Sequence, residues 1–540
     1  MGKTKYIVVT GGVISGLGKG VVTASIGNLI QAQGYRVSAV KIDPYLNFDA
    51  GTMRPTEHGE VFVTADGGET DQDIGTYERF LEKNLSRKNN ITTGQVFAKV
   101  IEMERNLEFG GKCVEVIPHV PQEVQRRVKE VAEKENADFV LIEVGGTVGD
   151  YQNVLFLEAF REMHLQGNGV VFVHVVYLPV PSNLGEMKTK PAQHSVRELN
   201  GIGIQPDFLV CRAQMPIDKI RKEKLALFCN LKEENIIAAP DVKTIYEEPL
   251  VFEEQDLTKK LLEKFGLPFK KSKEFEEWKN FVEKIKKVEK IVKIGIVGKY
   301  FDIGDFTLED SYISVIEAIK HACWKNNVKP SIQWIDSKKF EKNPETLNEL
   351  KEYGGIIVPG GFGSSGVEGK ISAIKYCREN NIPFLGLCYG LQLAVIEFAR
   401  NVCGLKDANS TEIDAKTKNP CIDILAEQEK LLREKNYGNT MRLGNYPAKL
   451  LKNSKVWELY GKKELIVERH RHRFEVNPAF IKILEEKGLV FSGVSPDRKL
   501  MEFIEIPEHK FFIATQSHPE FTSKPLNPNP LFEGFVKSMI

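Results

Sequence analysis

The sequence predicts an α/β protein made of two doubly wound domains. Three observations carry this reading. At 540 residues the chain is too long for one hydrophobic core. Continuous apolar runs ("KYIVVTGG", "RVSAVKID", "DFVLIEVGG", "GVVFVHVVYLP", "DFLVCRA") alternate with amphipathic stretches, the pattern of parallel strands covered by helices on both faces. The alternation pauses at "KKSKEFEEWKNFVEKIKKVEKIVK", then resumes with "VKIGIVGKY", "GGIIVPGG" and "IPFLGLCYG". In the pause, Phe275, Trp278, Val282, Ile285 and Val288 fall at helical spacing, so a linker helix with one packed face is expected. The expected organisation is a first domain over 1–267, a linker helix over 268–292 and a second domain over 293–540.

Composition narrows the function classes. Hydrophobic residues are 42% and charged residues 27%, an ordinary globular balance. Lys plus Arg and Asp plus Glu each number 74, so no net field attracts nucleic acid, and no such partner is expected. The eight cysteines (Cys113, Cys211, Cys229, Cys323, Cys377, Cys388, Cys403, Cys421) contain no C-x-x-C pair and no metal spacing. That fits a reducing compartment with at most one or two reactive thiols. No apolar run nears the ~20 residues of a membrane span, and the N-terminus leads directly into a strand. A cytoplasmic location and no membrane contact are expected.

The first apolar strand ends in "TGGVISGLGKG", Thr10–Gly20, followed by the helix-like "VVTASIGNLIQAQG". Small residues let backbone N–H groups approach phosphate oxygens, and the helix N-terminus adds its positive dipole end. Lys19 is the point charge for the terminal phosphates. The spacing departs from a P-loop: five residues separate Gly12 and Gly18 instead of four, and Gly20 stands where Ser or Thr holds the metal. A dinucleotide fingerprint leaves Lys19 without a role; a glycine-rich turn without function is the other reading. A metal ion must then take carboxylates from elsewhere. Glu143, at the end of a buried strand, and Asp71, in "GGETDQDIG", are the candidates for an ATP·Mg²⁺ site.

In the second half, "GLCYG" places Cys388 as a nucleophile elbow places its nucleophile, between glycines at a strand-to-helix turn. A helix N-terminus favours the reactive thiolate. "QSHPEF" supplies His518 as base and Glu520, two residues on, to orient it. The glycines 360, 361 and 363 of "IIVPGGFGSSG", with the N–H of Tyr389, are candidate oxyanion donors. "ERHRHRFE" (Glu468–Glu475) reads either as a solvated basic strand or as a clamp for an anionic group.

These stretches together resemble the CTP synthase family. "PGGFG", "GLCYGLQ" and "HPE", in that order, are similar to a class I glutamine amidotransferase. "TGGVISGLGKG", "KIDPYLNFDAGTM", "HGEVFVTADGGETDQDIGTYERF", "EVGGTVGD" and "GEMKTKPAQHSV" are similar to the family's P-loop-like synthetase half. The resemblance covers essentially the whole chain. It implies that UTP, ATP and glutamine give CTP, ADP, phosphate and glutamate. By that resemblance, Gly16, Leu17, Gly18, Lys19, Gly20 and Val21 contact ATP, with Asp241 and Val242 at its adenine. Asp71 and Glu143 hold Mg²⁺. Ser15, Lys188, Thr189, Lys190, Pro191, Ala192, Gln193 and Lys224 contact UTP or CTP, and Asp150, Tyr151 and Gln152 belong to CTP recognition. Gly361, Tyr389, Gly390, Leu391, Gln392, Glu412 and Arg473 contact glutamine. The resemblance further implies GTP as allosteric activator, CTP as inhibitor and a homotetramer.

The chain departs from the family's pattern at three places. Tyr389 stands where leucine is usual, Ser517 where an aromatic is common, and Gln152 where glutamate is usual. Another ATP-dependent amidotransferase, such as a cobyrinic acid amide synthase acting on a carboxylate, is the alternative; "KTKPAQHS" and the complete His-Pro-Glu argue against it. A partitioning-type ATPase fused to an inactive amidase would have a broken triad, and this triad is complete.

Overall fold

Runs of Val, Ile, Leu and Phe with no polar alternation have to be buried on both faces, and seven of them form one parallel sheet. A computed structural model of the chain describes residues 4–183, 185–270, 273–298, 302–303, 306–307, 309–361, 363–424 and 441–540. The chain forms two compact units, Met1–Ala50 with Asp73–Glu283, and Gly51–Gln72 with Lys284–Ile540.

In the first unit the strands run in the order Asn90–Thr92, Val37–Asp43, Phe139–Val144, Lys5–Gly11, Val170–Tyr177, Phe208–Ala213 and Ile236–Pro240, all parallel. Strand Val37–Asp43 and strand Phe139–Val144 are buried along their whole length. One core joins the strands to the helices Thr93–Arg105, Val116–Lys134 and Val154–Leu165 through Val8, Val40, Ile142, Val124 and Phe160. The helix Lys19–Ala32 starts where the first strand's loop ends and packs on strands Val37–Asp43 and Phe139–Val144. The charged stretch expected as a linker helix is helical over Lys273–Lys287. Trp278 and Val282 are buried on it, and the Trp278 indole donates to the Tyr246 carbonyl at 3.0 Å.

The second unit contains a nine-stranded sheet. Lys329–Asp336, Ile291–Gly298, Gly355–Val358, Phe384–Leu387 and Phe512–Thr515 are parallel. Met501–Glu505, Val490–Val494, Arg442–Leu450 and Leu465–His472 extend it antiparallel. This antiparallel half is not in the parallel pattern read from the sequence. Strand Leu465–His472 alternates exposed and buried residues at its start, as an edge strand does.

The segment Gly51–Gln72 lies within 1–267, yet it packs in the second unit. Its hairpin has strands of two residues each, Phe62–Val63 and Glu69–Thr70, too short to stand alone. Contacts from the second unit hold it. Arg469 donates to the Val63 carbonyl at 3.0 Å, Arg471 meets Glu69 at 2.8 Å, and Phe62 packs edge-on against Phe521 at 5.1 Å.

Candidate active sites

In the first unit the phosphate loop leaves the sheet's carboxyl edge. Gly16 and Gly18 adopt left-handed backbone, as the tight turn requires, and helix Lys19–Ala32 follows directly. Gly12 is fixed by close approach: a Cβ there would lie 1.5 Å from Ser195 Oγ. That hydroxyl belongs to a buried chain, Thr10 Oγ1 to His174 Nδ1 at 2.8 Å and His174 Nε2 to Ser195 Oγ at 2.8 Å. Ser195 sits on helix Lys190–Gly201. The phosphate loop is therefore tied to the helix that carries Lys190, Pro191, Ala192 and Gln193.

Lys19 is buried and donates to the Gly146 carbonyl at 2.6 Å. Burial lowers its pKa, and the Glu143 carboxylate partly offsets this. Glu143 ends its strand with a side chain 2% exposed. Lys41 bridges it, at 3.0 Å, to Asp73, and Tyr77 donates to its other oxygen. Burial raises the Glu143 pKa, with Asp73 adding to the rise.

The two candidate metal carboxylates fall in different units. Asp71 belongs to the second unit, where it pairs with His58 at 3.6 Å. The carboxylate beside Glu143 is Asp73, two residues further on in "ETDQDIG", at the start of helix Gln72–Leu81. The carboxylates of Asp73 and Glu143 already converge on a cation, the Lys41 ammonium, and oxygen donors of this kind suit a hard divalent ion. The first unit's own pair, Asp73 and Glu143, therefore fits Mg²⁺ as a candidate donor set, in addition to the expected Asp71.

The other expected nucleotide residues surround this edge of the unit. Lys188 is half-buried and pairs with Glu186 at 3.1 Å; Gln193 donates to Thr189 at 3.1 Å. Lys224 is exposed on helix Lys219–Phe228, which Arg221 ties to the Met187 carbonyl at 3.0 Å. Asp241 lies 3.5 Å from Arg212, whose Nε is 3.8 Å from the position of a Cβ on Gly18. Arg212 also meets buried Glu248 at 3.1 Å. This arginine, missed by sequence reasoning, stands beside both Gly18 and Asp241; an Arg ending an apolar strand was its signal. Ser15, Gly16, Asp150, Tyr151 and Gln152 are exposed, and Val21 and Val242 are half-buried.

In the second unit Cys388 sits between strand Phe384–Leu387 and helix Tyr389–Asn401 with φ 51° and ψ −98°. Such backbone is costly for a non-glycine residue and marks a strained nucleophile turn. The flanking glycines follow from close packing: a Cβ on Gly390 would lie 2.2 Å from the Val358 carbonyl, and one on Gly386 would lie 2.8 Å from the Ala514 Cβ. His518 Nδ1 and Glu520 Oε1 are 2.6 Å apart, and the imidazole stacks on Phe521. Burial alone would lower the His518 pKa, but Glu520 and then Cys388 outweigh it and push it up to about 10. His518 is therefore held as the imidazolium beside Cys388.

A pocket of about 240 Å³ opens on the thiol, lined by Cys388, His518, Gly361, Arg473, Glu60 and Val61 among others. Gly361 and Arg473, both expected glutamine contacts, thus face it. Glu412 accepts the Gly363 N–H at 3.0 Å, and Gly390, Leu391 and Gln392 are buried in the helix behind the thiol. Glu60 and Val61 come from the excursion Gly51–Gln72, which no sequence signal connected to this site.

The "ERHRHRFE" strand is buried at Glu468, Arg469, His470, His472 and Glu475, so it is not a solvated face. Its side chains divide. Arg469 and Arg471 hold the hairpin, while His470 lies 3.6 Å from Glu502 and His472 3.5 Å from Glu475. Arg442 bridges Glu475 and Glu502 at 2.8 and 2.9 Å. Ser517, in place of an aromatic, leaves no unmet hydroxyl: its Oγ lies 2.5 Å from Thr515 Oγ1.

A cysteine at a strained elbow with a His–Glu pair, carried in one chain with a glycine-rich loop that opens a helix, is the arrangement of a glutamine-hydrolysing ligase. Sequence comparison agrees with this class. Residues 5–267 match the CTP synthase N-terminus family and residues 307–538 match glutamine amidotransferase class-I. The CTP synthase of Methanocaldococcus jannaschii is 52% identical over 544 residues, spanning 99% of this chain and 98% of the relative. Those of Caldanaerobacter subterraneus subsp. tengcongensis and Pyrococcus abyssi are each 51% identical, spanning 99% of this chain and 98% of the relative. The chain belongs to the CTP synthase family.

Proposed function

We propose that the chain aminates UTP at C4, using ATP to activate the uracil oxygen and glutamine as nitrogen source, with the residues assigned above. In the second unit the Cys388 thiolate attacks the side-chain amide carbon of glutamine. The oxyanion formed is met by the N–H groups of Gly361 and Tyr389. His518 gives its proton to the departing ammonia, leaving a thioester on Cys388. Water, losing a proton to His518, attacks the thioester; glutamate leaves and the thiolate returns.

In the first unit the uracil O4 attacks the γ-phosphorus of ATP, the bond from that phosphorus to the β–γ bridging oxygen breaks, and ADP leaves. Ammonia then adds at C4 and inorganic phosphate departs, carrying the original O4. Lys19 and the loop N–H groups hold the transferring phosphoryl group, and Lys188, Lys190 and Lys224 hold the nucleotide triphosphate. Mg²⁺, which Glu143 would hold together with Asp71 or Asp73, would neutralise phosphate charge. Activation by GTP, inhibition by CTP through Asp150, Tyr151 and Gln152, a homotetramer and a cytoplasmic location complete the reading. Among the described residues, no helix is long and apolar enough to cross a membrane. The family relation does not favour the carboxylate-amidating alternative.

The observation that carries the reading is the Cys388–His518–Glu520 triad at a strained elbow, in one chain with the phosphate loop. Cys388→Ala tests it. Glutamine-dependent CTP formation should vanish while formation from ammonium at high pH persists. A folded variant that is inactive with ammonium as well would refute the division of labour.

A further inference from the structure

Gln516 lies two residues before His518 and opens the "QSHPEF" stretch, in which only His518 and Glu520 were given roles. It is fully buried, and its backbone N–H donates to the Glu502 carbonyl at 2.9 Å. Its side-chain Nε2 lies 3.7 Å from Cys388 Sγ, within hydrogen-bond reach for sulfur, and its Oε1 lies 3.4 Å from Gln392 Nε2. The orientation of both amides follows from one backbone group. Gln392 Nε2 lies 2.9 Å from the Phe474 carbonyl, which only accepts, so Gln392 must present its NH₂ there. The same NH₂ then faces the oxygen of Gln516, which turns the Gln516 NH₂ to the sulfur.

Cys388 Sγ has a second polar neighbour, the Arg471 carbonyl at 3.8 Å. The two neighbours favour opposite protonation states. A carbonyl accepts from S–H and holds the thiol neutral, whereas an amide N–H donates to sulfur and holds the thiolate. We propose that Gln516 is a catalytic residue of glutamine hydrolysis: its carboxamide N–H stabilises the Cys388 thiolate, and Gln392, anchored on Phe474, positions it. The proposal rests on Cys388 being the nucleophile. The bond acts twice in each turnover, on the attacking thiolate and on the thiolate leaving when the thioester is hydrolysed. It is weaker in the thioester, where sulfur carries no charge.

The test uses the full-length protein. The rate at which iodoacetamide abolishes glutamine hydrolysis is followed against pH, which gives the apparent pKa of the essential thiol. Hydrogen bonds to charged groups correspond to a shift of about one to two pH units. Gln516→Met, which keeps length and loses the donor, should raise that pKa by about one unit or more and lower kcat for glutamine at neutral pH about tenfold or more. Ammonium-dependent CTP formation should be unchanged and certifies the fold. Gln516→Glu, which puts a carboxylate against the sulfur, should raise the pKa further and serves if the methionine variant does not fold. An unchanged thiol pKa in a folded variant overturns the role of Gln516. Retained glutamine hydrolysis in Cys388→Ala would overturn instead the reading of the nucleophile, so the two failures are distinguishable.

Discussion

The phenolic oxygen of Tyr389 donates to the carbonyl of Gly363 at 2.7 Å, from the residue directly after the nucleophile to the glycine loop opposite it. The N–H of Gly363 is held in turn by Glu412 at 3.0 Å. Both peptide groups flanking this residue's Cα are thereby fixed. Lys370, buried, lies 5.3 Å from the centre of the Tyr389 ring, a cation–π contact. Leucine, usual here in the family, makes neither contact. In this chain the tyrosine supplies a tether for the loop that carries Gly361, in addition to its backbone N–H.

Tyr389→Phe removes the tether and keeps the ring. A neutral hydrogen bond contributes about 1 kcal/mol, so kcat/KM for glutamine should fall about fivefold. Tyr389→Leu loses the ring contact as well and should fall further. CTP formation from ammonium should be unaffected in both. Steady-state kinetics with each nitrogen source decides the matter; equal glutamine kinetics in wild type and Tyr389→Phe would remove the tether from the argument.

Asp73 gives the second prediction. Asp73→Asn should raise the Mg²⁺ concentration needed for half-maximal activity with ammonium by about tenfold or more, because one of two anionic oxygen donors is lost. Asp71→Asn reports in the same way on the expected ligand Asp71. A Mg²⁺ titration of both variants distinguishes them, and the variant with the larger rise names the ligand.

What the sequence made legible divides along a physical line. Residues set by local chemistry were readable: the glycines around Cys388, the His-Pro-Glu segment, the loop before Lys19 and the helical spacing around Trp278. Each is dictated by neighbours a few positions away. Choices made by the fold were not. Asp71 and Asp73 are equivalent as letters; that Asp73 meets Lys41 beside Glu143 is visible only in the structure. Gln516 and Arg212 lie at the ends of apolar strands whose polar partners come from distant strands and loops. The hairpin Phe62–Thr70 has no signal for its docking, because the groups that hold it, Arg469 on the Val63 carbonyl, Arg471 on Glu69 and Phe521 on Phe62, lie some 400 positions or more away in the chain. The antiparallel strands carry charged residues inward, paired as Arg442 with Glu475 and Glu502, and so do not read as buried strands at all.

His174 gives a pH prediction. It is buried between Thr10 and Ser195, and burial, with a smaller contribution from Lys19, lowers its pKa from 6.5 to about 3. The unfolded chain therefore takes up a proton below about pH 6.5 that the folded chain refuses. Stability falls as pH drops from about 6.5 towards 3, by about 1.4 kcal/mol per unit from this residue alone, and the contribution is flat above 6.5. His470 and His472, buried and lowered in the same sense, add to the fall. His174→Gln keeps one donor and one acceptor without the titration. Its loss of stability between pH 7 and pH 5, followed by denaturant midpoint, should be smaller than that of wild type. Equal losses would show that His174 is not neutral in the folded state.

The last prediction concerns Gln152. UTP and CTP carry the same triphosphate, so Lys188, Lys190 and Lys224 cannot tell them apart, and discrimination falls to the ribose and base ends. The loop assigned to that end is rigid at its base. Asp150 Oδ2 accepts from the N–H and the hydroxyl of Thr147 at 2.8 and 2.7 Å, and Asn153 donates to the Thr147 carbonyl at 2.7 Å. These bonds commit one oxygen of Asp150 to the turn and present the next two side chains outward, with Tyr151 97% exposed. The family's usual glutamate at position 152 brings a charge, and a charge-assisted hydrogen bond contributes roughly 1.5–3 kcal/mol against about 1 for a neutral one. The carboxamide oxygen of Gln152 still accepts one such bond from a sugar hydroxyl. Inhibition by CTP should therefore persist in this chain, and Gln152→Glu should strengthen it by about two- to thirtyfold, the ratio that this energy difference converts to. The measurement is the CTP inhibition constant of both proteins at fixed UTP. Unchanged or weaker inhibition in the glutamate variant would mean that this side chain does not reach the inhibitor, and that the exposed Tyr151 and the free oxygen of Asp150 define that end of the site without it.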